Sequence, residues 1–171
     1  MSEDLLSFAS PAIDETARRL PGTDTSAMAL VLLLTRVASG LTYDLESTVH
    51  RPAGWSWSAW RLLFTLWISG PVESRRAAEL SGMSRAAVSS LANTLVGAGL
   101  LERAAGEGDG RSVVLSLSER GSAAVAETFR AHNAREAQWA GLLDPAELAT
   151  LTTLLGRLAD AAHAADWIKR R

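Results

Sequence analysis

The apolar positions of the chain fall into helical stripes along most of its length. Leu30, Leu34, Val37, Leu41 and Leu45 recur at three- and four-residue spacing, and Val31, Leu32 and Leu33 widen that stripe beyond one face. A helix apolar on more than one side packs against more than one neighbour. Pro21-Gly22-Thr23-Asp24 precedes it as a break that ends in a capping residue. The helix runs to about His50 and stops near Pro52-Ala53-Gly54. A second helix, capped by Ser56 or Ser58, carries Trp57, Trp60, Leu63, Phe64 and Trp67, reaches Ile68 and ends at Gly70-Pro71. From Ser118 a long helix extends to about Trp139, with Val125, Phe129 and Trp139 on its apolar side. Asp144-Pro145-Ala146-Glu147 opens the last helix, with aspartate at the cap, proline in the first turn and glutamate three residues after the cap. That helix carries Leu148, Leu151, Leu155, Leu158 and Ala162 and reaches Trp167. Residues 12–20 form a short helix, and the first ten residues read as a loose arm.

The middle of the chain has a different rhythm. Ser74 caps a short helix that ends at Leu80-Ser81, and Gly82 follows, where a left-handed residue closes a helix. Met83 packs inward, and Ser84 caps the next helix over residues 85–98. The turn Ser81-Gly82-Met83-Ser84 thus joins two short helices tightly, as a helix-turn-helix requires. In the second helix Val88, Leu91, Leu95 and Val96 make the inner side, and Arg85, Ala86, Ser89, Ser90, Asn93 and Thr94 fall largely on the other. That outer face is slim, rich in donors and acceptors and free of carboxylates, as entry into the major groove demands. Gly99 ends the helix and Leu100 tucks back. Glu102-Arg103-Ala104 begins a strand, and residues 111–117 alternate as its partner. Ala105-Gly106-Glu107-Gly108-Asp109-Gly110 is a glycine-rich hairpin tip, and the whole is a wing with Arg111 at its base.

Composition narrows the options. The 171 residues suit one domain or one two-lobed unit. There is no cysteine, which excludes disulfides, thiolate zinc sites and cysteine redox sensing. No unbroken apolar run reaches the roughly 18 residues of a membrane span. The N-terminal residues are acidic, unlike a secretory signal, so the expected compartment is the cytoplasm. The net charge is −2, so nucleic-acid binding must be argued from where the cations sit. Between residues 71 and 121 six arginines face six carboxylates, leaving the module neutral. Nonspecific affinity is therefore expected to be modest, with specificity resting on base contacts and on two copies acting together.

The run from Ala77 to Ser89, the Gly99-Leu100-Leu101-Glu102-Arg103 that follows, and Asp109-Gly110-Arg111 leading to Leu117-Ser118-Glu119-Arg120-Gly121 resemble the MarR family of bacterial regulators. The resemblance covers about residues 25–165. It implies a mainly α (α+β) fold: a winged helix-turn-helix with a helical dimerisation lobe, six or so helices and a two- to three-stranded wing sheet. It also implies a homodimer. Residues 22–52 and 118–168 would form the dimerisation lobe, residues 53–117 the DNA-binding lobe, and residues 1–21 an N-terminal arm or short helix. The family's wing pair maps onto Asp109 and Arg111, where the aspartate orients the arginine. The tip here is richer in glycine and carries less charge than in many relatives. Repression is the mode the resemblance favours. Periodicity supports the dimer independently: the helices around residues 30–45 and 148–162 are too apolar for a small wing domain to cover, and a two-fold partner covers them and suits a palindromic site.

The expected DNA-contacting residues are Arg75, Ser84, Arg85, Ala86, Ser89, Ser90, Asn93, Thr94, Asp109 and Arg111. Arg85 and Asn93 are expected to read bases; Ser84, Ser89, Ser90 and Arg111 mainly position the backbone. Six tryptophans are present, and Trp55, Trp57, Trp60 and Trp67 cluster in one short span with His50, Arg51 and Arg61 beside them. The resemblance implies small anionic or aromatic effectors for many relatives. An aromatic wall with a cation suits a phenolic carboxylate, so His50, Trp57, Trp60 and Arg61 are the candidate effector residues. Core and hinge packing is the plainer reading of the same tryptophans. His50, His132 and His163 are scattered; His132 and Glu136 share a helix face, but no metal and no cofactor is expected. No nucleophile–base pair, phosphate loop or paired-carboxylate motif suggests an enzyme. The alternative function is a winged-helix adaptor that uses the module for protein contacts.

Overall fold

The computed structural model describes residues 8–106 and 112–167. Within them the helices are α1 (Ala9–Arg19), α2 (Thr25–Leu45), α3 (Trp57–Ser69), α4 (Ser74–Ser81), α5 (Arg85–Gly97), α6 (Glu119–Ala140) and α7 (Pro145–Ala164). Three strands, β1 (Val72–Glu73), β2 (Leu101–Ala105) and β3 (Val113–Leu117), complete the fold. The fold class expected from the sequence is the one observed, with the sheet at its three-stranded limit. The chain divides into two compact units, residues 1–57 and 58–171.

The first unit is helical. The Asp24 carboxylate accepts from the Ala27 amide at 2.9 Å and so starts α2. At its end α2 widens into a single π-helical turn, Glu46–His50, which the hydrophobic spacing does not announce. From Thr25 to His50 the helix is continuous and, by length and composition, long and apolar enough to cross a membrane, with a mean hydropathy of 1.4. Thr35, Arg36 and Ser39 interrupt the run in the sequence. Leu30, Val31, Leu33, Leu34 and Val37 are exposed on it.

The second unit holds the winged module. Leu62, Leu63, Leu66, Val88, Leu115 and Val125 are fully buried and form its centre. The sheet order is β1-β3-β2, antiparallel throughout, with Leu101 opposite Leu117 and Val72 opposite Leu115. Ser118 caps α6 through a 2.9 Å bond from the Gly121 amide. The same hydroxyl donates to the Gly99 carbonyl at 2.7 Å, and the Ser118 amide donates to the Leu100 carbonyl at 3.0 Å. The end of α5 and the start of α6 are thereby knotted together. The capping box at Asp144 and Glu147 is present as the sequence expects. Yet α7 contributes no buried residue, and Leu148, Leu151, Leu154, Leu155 and Leu158 are all exposed on it.

Candidate nucleic-acid interface

Local chemistry shapes the helix-turn-helix. Gly82 sits at φ 67, the left-handed conformation, and closes α4 by donating to Glu79 at 3.3 Å. The Met83 amide donates to Ala78 at 3.0 Å, completing the turn. The Ser84 hydroxyl then accepts from the Ala87 amide at 3.1 Å and starts α5. Gly99 closes α5 at φ 69, and the Leu100 amide donates to Leu95 at 2.9 Å.

Two readings need correction. Ser74 does not cap α4: the cap position is Glu73, which makes no side-chain cap bond, and the Ser74 hydroxyl instead donates to the Val113 carbonyl of β3 at 3.0 Å. Ser74 is already the first residue inside the helix, and its hydroxyl ties the first helix of the motif to the wing. On α5 the buried set is Val88, Ala92 and Leu95, while Leu91 is half-buried and Val96 exposed. At about 100° per residue Val96 lies roughly 80° round from Val88, off the inner face.

The outer face of α5 is open. Ser84, Arg85, Ala86, Ser89, Ser90, Asn93 and Thr94 are all exposed. Of these, Arg85 and Ser89 line a groove of about 530 Å³ together with Glu73, Ser74, Arg75, Arg103, Ser112 and Val113. Three guanidinium groups thus meet one carboxylate there. Among the described residues Arg85 makes no hydrogen bond or ion pair. Arg75 lies 3.4 Å from Glu79, and Arg76 lies 3.1 Å from the same carboxylate. The hydrogen bond from Arg76 is the main cause holding the Glu79 carboxyl below its usual range. Both pairs are exposed and solvent-screened, so a phosphate can take either arginine at little cost. Asp109 and Arg111 lie outside the described residues.

Arg103 joins this set, although the sequence shows it only as the start of a strand. Its guanidinium donates from β2 to the Asn93 Oδ1 at 2.6 Å and to the Ser89 carbonyl at 3.3 Å. The partners are ten and fourteen residues away, beyond the reach of any local pattern.

The candidate effector residues fall in both units. In the first, His50 is fully buried, and its ring lies 5.5 Å from that of Trp57. In the second, Trp60 is buried and stacks with Phe64 and Phe129, and the His132 ring is 4.9 Å away. His132 in turn lies 3.0 Å from Glu136. Arg61 donates to the Ser81 carbonyl at the end of α4, where a cation satisfies a terminal acceptor. No group of metal-ligating side chains occurs among the described residues.

A MarR-family sequence model matches residues 53–112. The HTH-type transcriptional regulator YwaE of Bacillus subtilis, itself uncharacterised, is 31% identical over 137 residues, 80% of each chain. The chain belongs to the MarR family. As a MarR-family transcriptional regulator it shares its fold with AbsC of Streptomyces coelicolor, another member. AbsC is 25% identical, with a TM-score of 0.72, over 83% of this chain and 97% of AbsC. It is also similar in fold to BpsR of Bordetella bronchiseptica (21% identity, TM-score 0.70, 76% of this chain and 98% of BpsR), whose DNA binding is regulated by 6-hydroxynicotinic acid. YwaE and AbsC are both transcriptional regulators.

Proposed function

We propose that this MarR-family regulator is a cytoplasmic repressor that binds palindromic double-stranded DNA as a homodimer. One observation carries the reading: α5 is capped at both ends, and its exposed outer face is slim, carboxylate-free and bordered by a groove holding Arg75, Arg85 and Arg103. In this reading residues 53–117 meet the DNA and residues 22–52 and 118–168 hold the two copies together. The apolar faces of α2 and α7 then meet a second copy instead of water or lipid. Two recognition helices together supply the affinity that a neutral module lacks. The test is a gel shift at low salt with the region upstream of the protein's own gene and with random genomic fragments. A retarded complex containing two chains is expected. Failure to shift any duplex would favour the adaptor function.

We infer that Arg85 reads a base. Arg85→Ala should weaken binding by about 1–3 kcal/mol and relax preference at one base pair. Fluorescence anisotropy against a panel of single-substitution duplexes checks it; an equal loss on every duplex would mark a phosphate contact instead.

The effector is proposed to be a small aromatic carboxylate, and Trp60 and Arg61 of the second unit are the residues that test it. An active compound should quench tryptophan emission and release DNA. Trp60→Phe or Arg61→Gln should weaken the response about tenfold or more, the scale of losing one charge-assisted bond or cation–π contact. A response unchanged in both variants places the effector elsewhere.

A further inference from the structure

The Arg103–Asn93 contact bears on which base the recognition helix chooses. Asparagine reads adenine with two bonds: its Oδ1 accepts from N6–H and its Nδ2 donates to N7. Here Asn93 Oδ1 already accepts from Arg103 at 2.6 Å. The amide orientation is fixed by chemistry, because a guanidinium has only donors and so must face the oxygen. Nδ2 is therefore turned away from Arg103. A second lone pair remains on Oδ1, but a donor approaching it meets the positive charge of the guanidinium. Arg103 is held in place by its further bond to the Ser89 carbonyl, one turn back along α5. Both side chains are exposed, and Arg103 lines the groove beside Ser89 and Arg85. The pair thus offers an incoming base edge donors and positive charge, with no open acceptor.

We propose that Arg103 is a specificity-determining residue that sets Asn93 as a donor, so that the base pair it meets is chosen as guanine, with its two acceptors, over adenine. The inference rests on the DNA-binding reading given above. Arg103 acts through Asn93 and is a positioning residue in this role.

Selection from a random duplex library tests it, with wild type, Arg103→Met, Asn93→Ala and the double variant. The column that loses information in Asn93→Ala is the base pair that Asn93 meets. At that column wild type should prefer guanine. Arg103→Met should raise the adenine-to-guanine ratio about tenfold, the scale of one bidentate contact. In the Asn93→Ala background the same change should leave the column unmoved. Asn93→Asp keeps an acceptor for Arg103 and removes the Nδ2 donor, so guanine preference should fall while the melting temperature holds. The proposal is overturned if wild type already prefers adenine there. It is also overturned if Arg103→Met leaves every column unchanged and weakens binding uniformly, with the salt slope reduced by about one. Absence of any DNA binding by wild type would instead overturn the functional reading itself.

Discussion

Gly121→Ala is expected to lower stability by about 3 kcal/mol, the upper range for forcing extra atoms into a filled site. That corresponds to roughly 6–12 °C in melting temperature for a chain of this size. Helix propensity alone predicts the opposite sign, since Gly121 lies in the first turn of α6 and alanine is the better helix former. Space decides the matter. A Cβ on Gly121 would stand 2.0 Å from the Leu100 carbonyl oxygen and 2.9 Å from its carbon, and both atoms are backbone. The strand start cannot yield without breaking the bonds of Ser118 to Gly99 and Leu100. Gly97 is the internal control: it is helical too, but nothing lies within 4 Å of its added Cβ, and Gly97→Ala should gain about 0.5 kcal/mol. Thermal melts followed by circular dichroism read both. Equal melting of Gly121→Ala and the parent would sink the argument.

The second large effect concerns α7. Leu154 is 51% exposed on a helix with no buried residue, so Leu154→Glu should leave the fold of the single chain within about 0.5 kcal/mol. In a two-fold dimer the substitution appears twice, and each carboxylate must leave water for an apolar face without a partner. Dimer affinity should fall by about 100-fold or more, which sedimentation velocity across a concentration series measures. DNA affinity should fall with it. An unchanged dimer constant would mean that α7 does not form the interface.

Much of this was legible in the sequence because the relevant physics is local. Asp24, Ser84, Ser118 and Asp144 each bond an amide two or three residues on, and Gly82 and Gly99 each close the helix just before them. Such short contacts fix the motif's boundaries to within a residue or two. Two features that the sequence does not reveal depend on distant partners. Ser74 bonds a strand 39 residues away, and Arg103 reaches back to α5. Trp60 makes a similar point: its stack is completed by Phe129 and His132 of α6, which no spacing around residue 60 reveals. Ala92 displaced Val96 from the inner face because burial follows angle around the helix, and hydrophobicity alone ranks the two the other way.

The single hydroxyl of Ser118, shared between the Gly99 carbonyl and the Gly121 amide, makes the end of α5 and the start of α6 one joint. With 22 residues α6 is about 33 Å long, and its first turn is fastened to the end of α5. A rigid tilt of α6 by about 5° would displace its Trp139 end by about 3 Å and would have to carry with it the core packing of Val125, Thr128 and His132. A tilt of α6 therefore reaches its joint with α5 only through the core of the second unit.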